Sequence, residues 1–366
     1  VPPEKQDDYL DVGYFRSGHT VRQTRFLFVE QQMWSTIWSR VPIHTYSLRK
    51  SQRKLWRRVN AKFRYEIGPY QEREDQNIVY ELYQRAHPLE VGENLTDIFG
   101  AHAPTHKFHT HTVRVYDDDK LVAFSGFDVG DDSIASLFGC YLPAYARDSL
   151  GTFTMLAELG YGRRRNFSYY HPGYCVPGLA AFNYKLRLPD LEGRHFLNTG
   201  WKPMGEVMSK PLPSQLVNSN TDALALELRR LKIPVHRRYM PLCELAPMAD
   251  QHYGAIPLPV ALLLPPIFAG IDTFAGYEPV SGKYTVWFGR VAADLALEQD
   301  FVQLHQQIPA NSNLKFYEWR RALLASSEVE LVAQGCTVEN LTKLILREMP
   351  IHVLSQVMFS DLDDLD

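Results

Sequence analysis

The run His111-Thr-Val-Arg-Val-Tyr116, Asp117-Asp-Asp-Lys120, Leu121-Val-Ala-Phe-Ser-Gly-Phe-Asp-Val129 decides how the middle of this chain folds. His111–Tyr116 alternates in polarity as a half-buried strand does, and the four residues after it are turn formers. Leu121–Val129 returns as a second predicted strand, and Gly130-Asp-Asp132 turns the chain into a third, Ser133–Tyr141. Arg147-Asp-Ser-Leu-Gly151 then opens a predicted helix, with Ser149 as its cap and Leu150, Phe153, Ala157 and Tyr161 on the inward face. Phe167–Tyr170 is a further strand. A three-strand meander, a helix and a strand make an α+β core.

Upstream, short apolar and aromatic stretches from Tyr9 to Val41 alternate with turns and include the strand-like Phe26–Glu30 and Trp34–Trp38. A helix is predicted from Arg73 to Ala86, stopping before Pro88, and His87–Thr110 reads as a connector. Downstream of Lys210 the character changes. Pro211–Asn220 resembles a linker, Asn220 or Thr221 caps a helix to Leu231, and Tyr277–Phe288 is turn and strand. Helices are predicted near Phe316–Ala325 and Val338–Arg347. Three domains are expected: a small basic N-terminal one (1–88), the mixed-sheet core (89–210) and an additional C-terminal α/β domain (211–366).

Composition excludes little beyond membrane and disulfide-framework classes. Of 366 residues, 45% are hydrophobic and 22% charged, and the formal charge is -3. The longest apolar run, Val260–Ala269, is interrupted by Pro265 and Pro266 and is far shorter than the ~18 residues a span requires, so it reads as buried core. No secretory leader is expected, since no charged-then-apolar stretch opens the sequence, and the four cysteines contain no CxxC pair. A cytoplasmic protein without a structural metal is expected. His102, His106, His109 and His111 do not change that, because no cysteine or carboxylate at ligand spacing completes a shell. Gly160-Tyr-Gly162 lacks the dinucleotide spacing, and His171 has no GxSxG serine to serve.

The charge is unevenly placed. Residues 1–64 carry +8, residues 65–210 carry -5 and residues 211–366 carry -6. Most of the excess lies in Ser47-Leu-Arg-Lys-Ser-Gln-Arg-Lys-Leu-Trp-Arg-Arg-Val-Asn-Ala-Lys-Phe-Arg64, which holds eight basic residues and no acid. At ~100° per residue, Arg49, Lys50, Arg53, Lys54, Arg57 and Arg58 cover about half a helical cylinder. Leu48, Leu55, Val59 and Phe63 fall opposite, with Trp56 at the boundary. Such a helix packs one face on a core and presents charge every turn to a polyanion such as a nucleic-acid backbone; the alternative is a solvated face.

Two motif sets together resemble a known family. Tyr9-Leu-Asp-Val-Gly-Tyr-Phe-Arg-Ser-Gly18 and Ser47–Arg58 look like the N-terminal region of arginyl-tRNA–protein transferases, which the bacterial aspartate/glutamate leucyltransferases share. Arg147–Gly151, Tyr169-Tyr-His-Pro-Gly-Tyr174, Pro177-Gly178 and Tyr184-Lys185 resemble that family's C-terminal signature in a GNAT-like domain. The resemblance covers roughly residues 9–203. It implies transfer of an amino acid, arginine or leucine, from aminoacyl-tRNA as co-substrate to the α-amine of an acceptor protein, commonly one beginning with Asp or Glu that is then degraded. Such aminolysis of an activated ester obliges no cofactor. The family's N-terminal cluster cysteines have no counterpart in 26–42, and its Cys-Pro-Lys-Met stretch reads Leu179-Ala-Ala-Phe182.

Site candidates follow. The six cations of the basic helix, with Arg16, are the tRNA candidates, and Arg147, Ser149 and Gly151 are placed to hold the tRNA 3′ end at a helix N-terminus. Tyr170 and Tyr174, with Tyr169, would line the aminoacyl pocket, a phenol relaying a proton. Lys185 would steer an acidic acceptor or a phosphate, and Asp128 would accept the amine proton. Each has a plain structural reading: sheet packing for the tyrosines, snorkelling for Lys185, turn hydrogen bonds for Arg16 and a strand end for Asp128. Two other functions stay open, an acyl-CoA-dependent N-acyltransferase and a non-catalytic RNA-binding adaptor. The glycines after Arg147 do not fit the usual pyrophosphate loop of the former.

Overall fold

The computed structural model describes residues 5–18, 20–29, 32–87, 94–99, 108–240, 257–268, 271–289, 329–335, 337–341 and 343. These divide into two compact units, residues 1–27 with 34–210, and residues 28–33 with 211–366.

The first unit opens with α1 (Gln6–Asp11), β1 (Phe15–Ser17) and β2 (Thr20–Arg22); the chain then forms β3 (Phe26–Val29) and β4 (Gln32–Ser35), of which residues 28–33 are assigned to the second unit. Next come β5 (Ile37–Pro42), α2 (Lys50–Lys62), β6 (Arg64–Pro69), α3 (Glu74–Ala86) and α4 (Leu95–Phe99). The predicted meander is β7 (Thr110–Asp117), β8 (Lys120–Val129) and β9 (Ser133–Tyr141). Then α5 (Leu150–Arg164) leads to β10 (Tyr169–Cys175), β11 (Glu192–Arg194), β12 (Lys202–Pro203) and α6 (Met204–Met208). Eight strands form one sheet in the order β12-β11-β5-β10-β9-β8-β7-β6.

Only β9 and β10 are parallel neighbours in it, and α5 is the crossover that a parallel pair requires. They pair at Tyr169 with Ser133, Tyr170 with Ile134 and His171 with Ala135, and no further. Past that point β9 follows β8 to Tyr141, while β10 shifts register between Tyr170 and Gly173 and continues against β5. The strands therefore diverge into a fork whose first open positions are Ser136 and Pro172. This is a mixed-sheet α+β core.

The helix that places the fork is driven by burial. Leu150 and Phe153 of α5 are 0% exposed, and Tyr161 meets Phe127 of β8 edge to face. Successive residues of β8 point to opposite faces. Ser125 bonds into α5, whereas Phe124 meets Phe138 on the side where Tyr80 of α3 lies.

Two expectations need correction. Residues 1–88 are not a separate domain, because β5 lies between β10 and β11 and β6 forms the edge beside β7. The basic segment is thus built into the core sheet at both ends. The stretch Trp34–Trp38 is also split, with Thr36 between β4 and β5.

In the second unit, α7 (Pro213–Arg230) precedes β13 (His236–Tyr239), β14 (Val260–Phe268), β15 (Ile271–Glu278), β16 (Lys283–Gly289) and β17 (Val329–Gly335). The strands form a five-stranded antiparallel sheet in sequence order, so this unit is α+β rather than α/β. Leu224 and Leu228 of α7 pack on Leu262, Leu264 and Val286. The supposed linker is the first half of α7. Pro213 occupies the first turn, where its missing N–H is harmless, and the Leu212 N–H donates to Gln215 Oε1 at 2.8 Å. The helix expected at 316–325 lies outside the described residues, and of the one expected from Val338 the structure describes 338–341 and 343 as helical.

Candidate active site and nucleic-acid surface

The basic helix folds as its periodicity demands. On α2, Val59 is 1% exposed and Leu55 and Trp56 are half-buried, with the Trp56 ring 5.0 Å from that of Phe153 on α5. The Arg49 N–H donates to Gln52 Oε1 at 2.8 Å and starts the helix. Arg49, Lys50, Arg53, Lys54, Arg57 and Arg58 are all exposed, and none pairs with a carboxylate among the described residues. The structure also joins this face to the start of α5. Arg58 Nη2 donates to the Asp148 carbonyl at 3.0 Å, and Lys62 Nζ lies 3.3 Å from the Asp148 carboxylate. Arg147, exposed in the 3-10 turn Pro143–Asp148, continues the same surface.

Ser149 departs from its expected role. It precedes α5 in a left-handed conformation (φ 58°) and makes no side-chain cap bond. Its carbonyl accepts the Phe153 N–H at 3.1 Å. The helix therefore begins without a side-chain cap at Leu150, with Gly151 half-buried against Tyr141.

The three tyrosines of β10 do not form one pocket. Tyr169 lies under the Arg40 guanidinium, 3.9 Å from its ring centre. Tyr170, 0% exposed, points at α5 and donates to Glu158 Oε2 at 2.8 Å. Tyr174 meets Trp38 edge to face and stacks on Phe182, with centroids 5.0 and 5.5 Å away.

Glu158 was not anticipated from the sequence. Its carboxylate is wholly buried at the base of the fork, accepting from Ser125 at 2.5 Å and from Tyr170, and hydrogen-bonding Ser136. Burial pushes its pKa up to about 7, against the three hydrogen bonds that favour the ionised form. One signal was available: it is the only acid between Leu150 and Arg164, set among the mostly apolar residues Phe153, Met155, Leu156, Ala157 and Leu159. The exposed Arg163, Arg164 and Arg165 at the far end of α5 were likewise overlooked.

Lys185 sits in the 3-10 turn Lys185–Arg187, not at a strand end. It is half-buried, and its ammonium donates to the Tyr174 carbonyl at 3.0 Å within 5.6–5.7 Å of the ring centres of Tyr174, Phe182 and Tyr184. No carboxylate accompanies it among the described residues. Burial brings its pKa down to about 8. Gly173 is favoured here by its backbone, at φ +87°, and a Cβ would also press on Lys185 Nζ at 3.2 Å.

Arg16 and Asp128 leave the candidate list. The Arg16 side chain is 3% exposed and Asp128's is 1%, paired at 2.6 Å. The guanidinium donates also to Thr110 Oγ1, the Gly18 carbonyl and the Phe99 carbonyl, and lies over Phe108. With four of its five N–H groups donating inside the protein, the buried Arg16 serves the fold, and Asp128 is the partner that fixes it. His102 and His106 lie outside the described residues.

Comparison with known proteins adds the following. The family model described as the C terminus of arginine-tRNA-protein transferase matches residues 74–193. A protein of Acinetobacter baylyi described as aspartate/glutamate leucyltransferase is 28% identical over 220 residues, 57% of this chain and 75% of that protein. One of the same description from Dinoroseobacter shibae is 26% identical over 210 residues, 54% of this chain and 72% of that protein. Among solved structures, a GCN5-related N-acetyltransferase from Anabaena variabilis aligns over 53% of this chain and 42% of its own, at 17% identity and a TM-score of 0.28, too slight to weigh.

Proposed function

We propose that this aminoacyltransferase, similar to the arginine-tRNA-protein transferase family over residues 74–193, transfers leucine from its tRNA to proteins beginning with Asp or Glu. Aminoacyl-tRNA is its co-substrate. The finer assignment is carried by Lys185. A half-buried ammonium without a carboxylate, walled by tyrosine and phenylalanine rings, suits the side-chain carboxylate of an acidic N-terminal residue. The same charge disfavours an arginyl donor beside it, and the neighbouring Tyr174 and Phe182 rings suit an apolar leucyl group. The exposed face of α2 supports tRNA binding, continuous with Arg147 at the start of α5, where the 3′-terminal phosphates would reach uncapped N–H groups. Among the described residues no helix is long and apolar enough to cross a membrane, and the proposed setting is the cytoplasm, in a pathway that marks proteins for degradation.

The test is a pool of charged tRNAs with peptides beginning with Asp, Glu, Asn, Gln or Ala. Leucine should appear on the Asp and Glu peptides alone. Lys185→Met should lose the acidic preference roughly 10–100-fold in kcat/KM while the Asn peptide is unaffected. In the wild type the preference should fade above pH 8, as the ammonium deprotonates. Acyl transfer from coenzyme A without tRNA would overturn the reading, as would RNA binding with no product.

A further inference from the structure

The fork holds a carboxylate that nothing in the fold needs as a charge. Glu158 lies between α5 and three strands and meets one hydroxyl from each: Ser125 on β8, Ser136 on β9 and Tyr170 on β10. No cation accompanies it among the described residues, so ionising it is unfavourable, and a glutamine would make similar hydrogen bonds without that penalty. Glu158 and Tyr170 are 0% exposed, whereas Ser136 is half-buried and occupies the first position beyond the last β9–β10 pair. The Ser136 hydroxyl lies near enough to both the carboxyl and the phenol to favour the ionised form of either. The cluster thus has an inner reservoir and a single half-open hydroxyl, and that hydroxyl stands where the strands part.

We propose that Ser136, Glu158 and Tyr170 form a proton relay that opens at the β9–β10 fork and takes a proton from the acceptor's α-ammonium. It rests on the aminoacyl-transfer reading. An N-terminal amine is largely an ammonium at neutral pH and cannot attack an ester until it loses a proton. That proton passes to Ser136 Oγ as the Ser136 hydroxyl proton passes to Glu158. The freed lone pair forms the C–N bond at the ester carbonyl carbon. The bond from that carbon to the ribose oxygen then breaks, its electron pair staying on the oxygen, which takes the second amine proton. The products are an amide and a free tRNA 3′-terminal hydroxyl, and Glu158 returns its proton to solvent through Ser136. Glu158 acts through Ser136 and is a positioning residue, with Tyr170 holding the second oxygen.

Other titratable groups around α5 stay clear of the carboxylate. From β7, His111 meets the Tyr161 ring, and from α2, Arg58 and Lys62 meet Asp148 at the other end of the helix. Tyr184 acts on the Tyr170 phenol, and Lys185 lies beside Cys175.

The experiment is single-turnover transfer to an Asp-initiated peptide across pH 5.5–9 with saturating charged tRNA. The wild-type rate should rise with a limb near the Glu158 pKa of about 7. The amine's own limb, at ~7.7–8.0, is common to every variant. Ser136→Ala should lower the rate roughly 10²-fold and abolish the lower limb with Tm unchanged, and Glu158→Gln should do the same to the rate. Ser125→Ala removes a hydrogen bond that favours ionisation, so its lower limb should move to higher pH. If Glu158→Gln does not fold, the two serine variants decide the matter. Wild-type rate and limbs in Ser136→Ala, or an unmoved limb in Ser125→Ala, overturn the relay alone. No product from the wild type with any charged tRNA overturns the functional reading itself.

Discussion

Asp128 and Glu158 are both carboxylates with 0% exposure within one sheet-and-helix unit, yet their surroundings are opposite in kind. Asp128 faces the Arg16 guanidinium at 2.6 Å and accepts from Thr110 at 2.7 Å. Its charge is matched by a fixed charge, so it holds β8 to the N-terminal segment. Glu158 faces hydroxyls and no cation, so its protonation state can change near neutral pH. Burial alone does not distinguish a structural carboxylate from a working one. The neighbouring charge does.

The largest effect should come from breaking the matched pair. Arg16→Ala or Asp128→Ala leaves an uncompensated buried charge and should destabilise the fold by about 3–5 kcal/mol in denaturant melts. The double change Arg16→Met with Asp128→Leu should cost less than either single one. A double variant as unstable as the two singles summed would show that the pair is not one electrostatic unit.

Glu158 should give a smaller effect with a pH signature. Its folded pKa, about 7, lies above the unfolded value of about 4.3, so between these the folded state binds the extra proton. Stability conferred this way is present below pH 4.3 and is lost as pH rises through 7. The loss is about 4 kcal/mol at most. Glu158→Gln should flatten this part of the curve of ΔG against pH, and an unchanged curve would place the proton elsewhere.

The smallest effect on the fold, and the largest on binding, belongs to α2. Arg53→Glu with Arg57→Glu should change stability by less than about 0.5 kcal/mol, because both are exposed. Affinity for tRNA should fall whatever amino acid is attached, and the slope of log affinity against log salt should drop by about two. Unchanged affinity and slope would make the face a solvated one, as plain as Arg16 is structural.

Legibility in the sequence followed the range of the interaction concerned. The α2 face, the three-strand meander and the inward residues of α5 could be read because their signals are periods within a dozen neighbouring residues. Ser149 was misjudged because residue type signals a cap while the backbone angle that denies it, φ 58°, comes from the turn before it. The N-terminal half of α7 was hidden by Pro211 and Pro213, which mark either a linker or a helix start.

What the sequence determined by itself was therefore local: which segments are amphipathic, where the meander turns, and that one helix carries six cations without an acid. Which arginine is free and which is spent was decided only when the chain closed. Arg16 reaches Asp128 across 112 residues, and β5, read as part of a separate domain, becomes the partner of β10. The fork exists because β10 must leave β9 to pair with that strand. Its carboxylate acquires its hydroxyls because Ser125 and Tyr170, 33 and 12 residues from Glu158, are brought to it by sheet register. Hydrogen-bond pairing between distant strands sets that register, and no short-range pattern in the chain encodes it.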